Sequence, residues 1–212
     1  ELLGRAELRE LLDPDVIATT EAQLQRTHPE RRLKGIEGAV DLLRLLGPMD
    51  SPALRERLDP ASIAGIDLDV ALEGMRREQR VMRLQIAGAE RWAVVEDAAR
   101  LRDALGVPLP VGLPEAYLTP VPDAVGDLVS RYARTHGPFT PADAASTLGL
   151  GVAVVHDALR RLAGDRRVLE GEFRPGAAGT DWCDAEVLTR LRSRSLAALR
   201  KEVEPVEPEQ LA

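Results

Sequence analysis

Apolar residues recur at helical spacing along most of the chain, and two short stretches alternate between apolar and polar residues, as strands do. The clearest helical face is in the second half of the chain and consists of Val152, Val155, Leu159 and Leu162. A short helix is predicted before it, because Thr140 is a good N-cap and Pro141 is tolerated at the first helical position. The glycine-flanked turn at 149–151 has the length of a helix-turn-helix connection. With the β-prone stretch that follows, residues 137–182 predict a winged helix.

A second unit of the same kind is predicted upstream. One helix ends at Gly47-Pro48, a short helix starts at Ser51, and a third contains Leu68, Leu72 and Met75. Alternation then predicts a hairpin whose inward residues are Met82, Leu84, Ile86, Trp92 and Val94. Three helices followed by a hairpin are the elements of a winged helix, so the sequence predicts two such units in tandem.

The predicted fold is therefore mainly α with small β-wings, an α+β protein of tandem winged-helix domains with flanking helices. The predicted winged helices are residues 35–105 and 123–183. Residues 1–34 are predicted to be a helical extension that docks on a neighbouring domain. Residues 106–122 hold five prolines and are interpreted as a semi-rigid linker that follows the surface. A C-terminal helix is expected at 184–202 and a flexible, Glu- and Pro-rich tail at 203–212.

The composition and the missing motifs argue against several classes of function. Among the 212 residues no apolar run is long enough for a membrane span, and no signal pattern is present, so a soluble cytoplasmic protein is expected. A single cysteine, Cys183, and three scattered histidines give no disulfide and no metal-ligand spacing. Phosphate-loop, dinucleotide and hydrolase motifs are missing, so we expect neither catalytic residues nor a bound cofactor in this segment. The first residue is not methionine, and we interpret the chain as a piece of a longer protein.

Charge restricts any contact with nucleic acid to a local surface. The net charge is −7, which is unfavourable for general binding to phosphates. Lys34 and Lys201 are the only lysines, and the remaining basic residues are arginines. Arginine is suited to forked contacts with phosphate or guanine, although a GC-rich genome would also favour it.

The first candidate residues for DNA contact are His156, Arg160 and Arg161. They lie opposite the apolar face of the second helix of the turn motif, and such a helix fits the major groove of DNA. Asp157 interrupts them. The same face would also suit a solvated surface or packing on a sister domain, and the sequence supports both alternatives about equally.

Arg166, Arg167 and Arg174 are the second candidate set, because they are expected at the wing, where guanidinium groups commonly meet phosphates. Glu170 and Glu172 alternate with them. An ordinary exposed hairpin with cross-strand ion pairs has the same pattern and is slightly favoured.

The corresponding helix of the upstream unit starts with Asp67 and Asp69, which would repel phosphate. A scaffold role is predicted for that unit. In the C-terminal helix, Arg190, Arg192 and Arg194 are spaced by two and do not form one stripe, so some of them are expected to pair with carboxylates.

Four stretches resemble one known family. They are LTPVPDAVGDLVSRYARTHGPFTPADAASTLGLGVAVVHDALRRLAGDRRVLEGEFRPG at 118–176, DWCDAEVLTRLRSRSLAALRKEVEPVEP at 181–208, ELLGRAELRELLDP at 1–14 and ERWAVVEDAARLRDALGVPLP at 90–110. Together they resemble the region C-terminal to the motor in the large helicase-related (Lhr) proteins of bacteria. The resemblance covers nearly the whole chain, and none of its motifs is catalytic.

The resemblance implies a segment of a superfamily 2, ATP-dependent DNA helicase that moves 3′ to 5′ on single strands and is associated with DNA repair. It implies that ATP and magnesium belong to a motor outside this segment. The implied partners are DNA, single-stranded or forked, and neighbouring domains of the same polypeptide, with no membrane. The family's extension is built from tandem winged helices and a β-barrel, similar to winged-helix glycosylases. The family's ATP-binding and glycosylase residues match no position here.

Two alternatives remain open at this stage. A free-standing winged-helix transcription regulator would need a dimerisation helix, for which 184–200 would serve. A glycosylase-like DNA repair module would need an acid or base in a pocket, and the sequence offers no candidate.

Overall fold

The computed structural model of the chain describes residues 12–177 and 179–203. In this part the chain is mainly helical and has two antiparallel two-stranded sheets, which confirms the predicted fold class. The helices are α1 (Pro14–Leu24), α2 (Gly35–Leu46), α3 (Ser51–Arg57), α4 (Leu68–Arg77), α5 (Ala98–Leu105), α6 (Ala124–Thr135), α7 (Pro141–Leu148), α8 (Val152–Gly164) and α9 (Ala185–Val203). The strands are β1 (Val81–Ile86), β2 (Ala89–Val94), β3 (Val168–Gly171) and β4 (Asp181–Asp184).

The first winged-helix unit consists of α2, α3, α4 and the hairpin β1–β2. Its core is formed by the apolar faces of the three helices and is closed by Trp92. The helix starts are fixed locally, because Asp50 accepts a hydrogen bond from the backbone of Ala53 at 2.9 Å and Asp67 caps α4 in the same way. Gly47 ends α2 with φ 93°, a conformation that favours glycine.

The second unit consists of α6, α7, α8 and the hairpin β3–β4. Thr140 and Asp143 form a capping box at the start of α7, with reciprocal hydrogen bonds of 3.2 and 2.8 Å. Pro141 occupies the first helical position, and Gly149 ends α7 with φ 70°. The predicted capped helix, turn and second helix are confirmed.

Each unit extends its hairpin by one bridged residue from the segment before the second helix. Met49 exchanges two backbone hydrogen bonds with Trp92, at 3.1 and 2.9 Å, and Phe139 exchanges two with Trp182, at 2.9 and 2.7 Å. Both bridging residues follow a Gly-Pro pair and precede the N-cap of the next helix. The two tryptophans of the chain therefore occupy equivalent places in the two units.

The two units share an apolar interface. The outer face of the first hairpin, represented by Met82 and Leu84, packs on Leu101 of α5 and on Leu128 of α6 in the second unit. Side chains of the proline-rich segment 106–122 join this core, and the partly buried ones are Val107, Leu109, Leu113, Tyr117 and Leu118. The segment is thus packed against the first hairpin, which is not a free wing.

Helix α1 packs on α9 and on the second unit. Val16, Ile17 and Leu24 lie against a core that contains Val187 and Leu191 of α9. Polar contacts add to this docking, including a hydrogen bond from the Gly137 backbone to the Glu21 carboxylate. Residues 1–11 of the predicted helical extension and residues 204–212 of the predicted tail lie outside the described residues.

Candidate nucleic-acid interface

Helix α8 is anchored by a buried face and presents the opposite face to solvent. Val155, Leu159 and Leu162 are buried, as predicted, together with Ala158. Val152 was predicted to share this apolar face, and that prediction is wrong, because 51% of Val152 is exposed. The first turn is thus exposed and apolar, with 46% of Val154 also exposed. The end of this helix that would meet base edges in a helix-turn-helix complex therefore presents no side-chain hydrogen-bond donor.

The charged part of the exposed face lies in the second half of α8 and just after it. Arg160 and Arg166 are exposed and form no ion pair with any described residue. Arg161 lies 3.3 Å from Asp123 at the start of α6, and both side chains are more than half exposed. An exposed pair of this kind is weak, so Arg161 can exchange Asp123 for a phosphate at little cost.

His156 is half-buried and does not point fully outward. Its ring packs edge-on against Trp182, with the ring centroids 6.0 Å apart. The helical period of α8 predicts an outward position for His156. Trp182 of strand β4 packs against the imidazole, so the ring is only partly exposed.

The remaining candidate arginines have partners within the protein. Arg167 precedes β3 and donates a hydrogen bond of 2.6 Å to the hydroxyl of Ser130 on α6. Arg174 lies in the loop between β3 and β4 and forms an ion pair of 2.6 Å with Asp181, which is 3% exposed. The hydrogen bond to Asp181 raises the pKa of Arg174, because it favours the charged guanidinium. Arg160, Arg161 and Arg166 are thus exposed, whereas Arg167 and Arg174 have structural contacts.

The equivalent helix of the first unit has a different charge pattern. Asp67 and Asp69 stand at the start of α4, and Asp69 accepts a hydrogen bond from Ser51. Arg76 forms a bidentate pair with Glu73, which lowers the pKa of that carboxyl and occupies the guanidinium. The described face of α4 is therefore acidic at its start and internally paired.

The hairpin turn of the first unit lies directly beside the turn that leads into α8. A Cβ at Gly149 would be 3.1 Å from the Cβ of Ala87, at the tip of the β1–β2 hairpin. The tip of the first hairpin therefore contacts the turn that joins α7 to α8.

The structure also brings together arginines that the sequence reasoning did not connect. A groove of about 290 Å³ lies between the C-terminal end of α1, α6 and α9. Its lining includes Arg26, Arg31, Arg134, Arg190 and Arg194. These positions are far apart in sequence, and only the docking of α1 onto α6 and α9 makes them neighbours.

Buried titratable groups near the junction of α1 with the two units are structural. Burial lowers the pKa of His136 to about 4 and raises that of Tyr132 to about 12, and the two rings stack with centroids 3.6 Å apart. Burial also raises the pKa of the Cys183 thiol. Across residues 12–177 and 179–203, no three histidine, cysteine or acidic side chains converge as a metal site would require. No helix in the same ranges has the length and apolarity to cross a bilayer.

Comparison with known proteins gives consistent matches. Residues 10–120, which include the first unit, match the family model described as "Large helicase-related protein, winged-helix domain". The whole chain is 50% identical to a Mycolicibacterium smegmatis protein named "Lhr helicase/ probable uracil glycosylase". Over 97% of its length it is 43% identical to an Escherichia coli protein named "Lhr helicase/uracil glycosylase". The chain spans only 14% and 13% of these two relatives.

Proposed function

The chain belongs to the large helicase-related (Lhr) protein family, and we propose that it is a non-catalytic winged-helix segment that holds DNA for a motor elsewhere in the same polypeptide. The second unit makes the contact and the first unit supports it. The observation that carries this proposal is the difference between two equivalent helices. Helix α8 presents Arg160 without a partner among the described residues, whereas α4 starts with Asp67 and Asp69.

The proposed contact is to the DNA backbone and not to the bases. Specific readout needs side-chain donors and acceptors at base edges, and the first turn of α8 offers only Val152, Ala153 and Val154. The arginines follow in the second half of the helix, where contacts to phosphates position a protein without reading sequence. The segment then binds DNA with little sequence preference and with a strong dependence on salt.

The proposal also includes the activity of the parent protein and the partners of this segment. The parent protein is an ATP-dependent DNA helicase that moves 3′ to 5′ and acts in DNA repair, with ATP and magnesium bound by its motor. The partners of this segment are single-stranded or forked DNA and the neighbouring domains of the polypeptide. A free-standing transcription regulator gains no support, because the chain aligns to a small part of two much longer proteins.

Fluorescence anisotropy with labelled single-stranded, forked and duplex DNA across a salt series tests the proposal. Reversal of Arg160 and Arg161 to glutamate should weaken binding strongly, since both residues would contact phosphates. Reversal of Arg76 and Arg77 is a matched control, because each pair contains one ion-paired and one unpaired arginine among the described residues. No binding at micromolar protein, with a salt slope near zero, would contradict DNA contact. Equal effects of the two reversals would show that α8 is not the contacting face.

The printed names of both relatives favour a second candidate function, namely part of a glycosylase-like winged-helix repair module. Incubation of the 212-residue chain with a uracil-containing oligonucleotide tests it. Excision of the base would favour this candidate, and binding without excision would favour the non-catalytic role.

A further inference from the structure

Hydrogen bonds join the three helices, α1, α6 and α9, that line the groove. Arg194 of α9 donates hydrogen bonds to Thr20 and Gln23 of α1, at 3.1 and 2.7 Å. Gln25, at the end of α1, donates to the carbonyl oxygen of Thr135 at the end of α6, at 2.5 Å. These contacts join three elements that are distant in sequence. The groove is therefore a built feature of the fold and not an accidental gap.

The groove is lined by positive charge only. Five arginines line it, and none of its described lining residues is acidic. None of the five forms an ion pair with any residue in the described ranges, and the partners of Arg194 are neutral. Elsewhere on the surface, arginines such as Arg44, Arg76 and Arg80 are paired with carboxylates. In a chain of net charge −7, this groove concentrates positive charge that has no ion-pair partner among the described residues.

We propose that this groove, here called the arginine groove, binds the phosphodiester backbone of a single DNA strand. The inference rests on the proposed function, because it takes DNA as the partner, and it adds a second contact surface that the α8 face does not include. Guanidinium groups match phosphate oxygens with forked hydrogen bonds. A cleft lined by one sign of charge also concentrates its field on a ligand of the opposite sign.

The shape and lining of the arginine groove favour one strand over a duplex. A cavity of about 290 Å³ admits a backbone segment, whereas a duplex would rest across its rim. Proteins that also stack bases place aromatic rings along the strand, and no aromatic residue is among the described lining residues. The groove therefore holds phosphates and leaves the bases unread.

The arginine groove and the α8 face lie towards opposite ends of α6. Arg161 contacts Asp123 at the start of α6, and Arg134 lies in the last turn of that helix. At 1.5 Å per helical residue, the two surfaces are ~16 Å apart along α6. A strand of several nucleotides can contact both, so the second surface would lengthen the site and increase the number of phosphates it neutralises.

The test compares three triple variants of the chain that each remove three charges. The groove variant carries Arg31→Gln, Arg134→Gln and Arg190→Gln, and it spares Arg194 because of its contacts with α1. The second variant carries Arg160→Gln, Arg161→Gln and Arg166→Gln at the α8 face. The control carries Arg55→Gln, Arg77→Gln and Arg200→Gln, which are exposed and unpaired within the described residues but lie outside the arginine groove. Circular dichroism and urea unfolding establish that all three are folded.

Binding of labelled oligo-dT and oligo-dA is then measured across a salt series. For the groove variant we expect affinity to fall on the order of tenfold or more at low salt. The magnitude of the salt slope should drop by about 2, since each contact to a single strand contributes about 0.7. The drop should be the same for oligo-dT and oligo-dA, and the control should change little.

The outcomes separate this inference from the proposed function. A groove variant that behaves like the control, while the α8 variant is weakened, overturns the groove and keeps the α8 face. The reverse result keeps the groove and overturns the α8 face. If the groove variant loses affinity for poly-glutamate but not for oligo-dT, the groove binds acidic protein and the proposal is wrong.

Discussion

Arg131 of α6 donates a hydrogen bond of 2.5 Å to Asp97 of the first unit, across the interface between the two winged-helix units. The Asp97 carboxylate is 5% exposed, and Arg100 bonds its other oxygen. The Arg131 guanidinium also lies against Gly47, where a Cβ would be 3.2 Å from its Nη2 atom. The buried Asp97 carboxylate thus has a local partner in Arg100 and gains its second partner, Arg131, only when the two units are docked.

Replacement of Arg131 by methionine should lower the free energy of unfolding by about 2–3 kcal/mol, because it leaves a buried carboxylate with one partner instead of two. Urea unfolding monitored by circular dichroism measures the loss. Arg44→Met is the matched control, since Arg44 pairs with Asp41 and Glu96 while about half of its side chain is exposed. That variant should lose less than about 1 kcal/mol. Equal losses would show that the buried Arg131–Asp97 pair stabilises the fold no more than the exposed ion pairs of Arg44 do.

His136 should make stability depend on pH. Its Nδ1 atom donates to the carbonyl oxygen of Tyr132 at 2.8 Å, and Nε2 accepts from Gln25 at 3.2 Å, so the ring is held neutral. Burial is the main cause that lowers its pKa to about 4, and Arg57 contributes. The unfolded chain binds this proton near pH 6.5, so it holds more protons than the folded chain between about pH 6.5 and 4. Stability should therefore fall as the pH is lowered through this window.

The expected loss over that window is about 3 kcal/mol, at 1.36 kcal/mol for each pKa unit. It is obtained by comparing urea midpoints of the chain and of His136→Gln from pH 7 to pH 4. Carboxylates titrate in the same range, but they do so in both proteins and cancel in the difference. The variant should show a shallower decline at acid pH. Parallel curves would mean that His136 is not kept neutral by the fold.

Much of the secondary structure follows from local signals in the sequence. Thr140 before Pro141 predicts the start of α7, and the alternation after Arg80 predicts the first hairpin, because caps and side-chain periods act over a few residues. The equivalence of the two units could also be predicted from the sequence. A Gly-Pro pair stands before Met49 and before Phe139, and each of these residues bridges to a tryptophan.

The charged surfaces could be predicted less well, because they depend on packing between elements. A helical projection of α9 scatters Arg190 and Arg194 among other residues, and it cannot show that α1 docks beside them and adds Arg26. For the same reason it could not show that Trp182 covers one edge of His156. The expected pairing of arginines in the C-terminal helix with carboxylates is not observed for Arg190 or Arg194 within the described part of the chain.

Arg174 should matter for stability and not for DNA binding. Its partner Asp181 is buried, so Arg174→Met should cost about 1–2 kcal/mol, a range reduced because the arginine side chain is itself 38% exposed. The salt dependence of DNA binding should stay unchanged. Arg160→Met is the converse control, expected to leave the urea midpoint unchanged and to weaken binding. A flatter salt slope for Arg174→Met would show that Arg174 does contact DNA.

Gly149 should couple the two units, because its Cα faces the hairpin tip of the first unit. Gly149→Ala adds a Cβ that meets Ala87 at 3.1 Å and also forces alanine to adopt φ 70°. Gly106→Ala separates the two costs, since Gly106 has φ 65° with no heavy atom of another element within 4 Å of the added Cβ. The control should lose about 1 kcal/mol from backbone strain alone, and Gly149→Ala about 1 kcal/mol more from crowding.

Ala87→Gly completes a double-mutant cycle for this contact. In that background the Cβ opposite residue 149 is gone, while the backbone N and Cα of residue 87 stay at 3.3 and 3.4 Å, so the cost of Gly149→Ala should fall part of the way towards that of Gly106→Ala. Urea unfolding of the four proteins gives the coupling energy directly. If the cost of Gly149→Ala is the same in both backgrounds, the hairpin tip does not touch the turn before α8 in solution. The first unit would then not support the DNA-contacting helix from this side, and the scaffold role would rest on the apolar interface around Leu128 and on the Asp97–Arg131 contact.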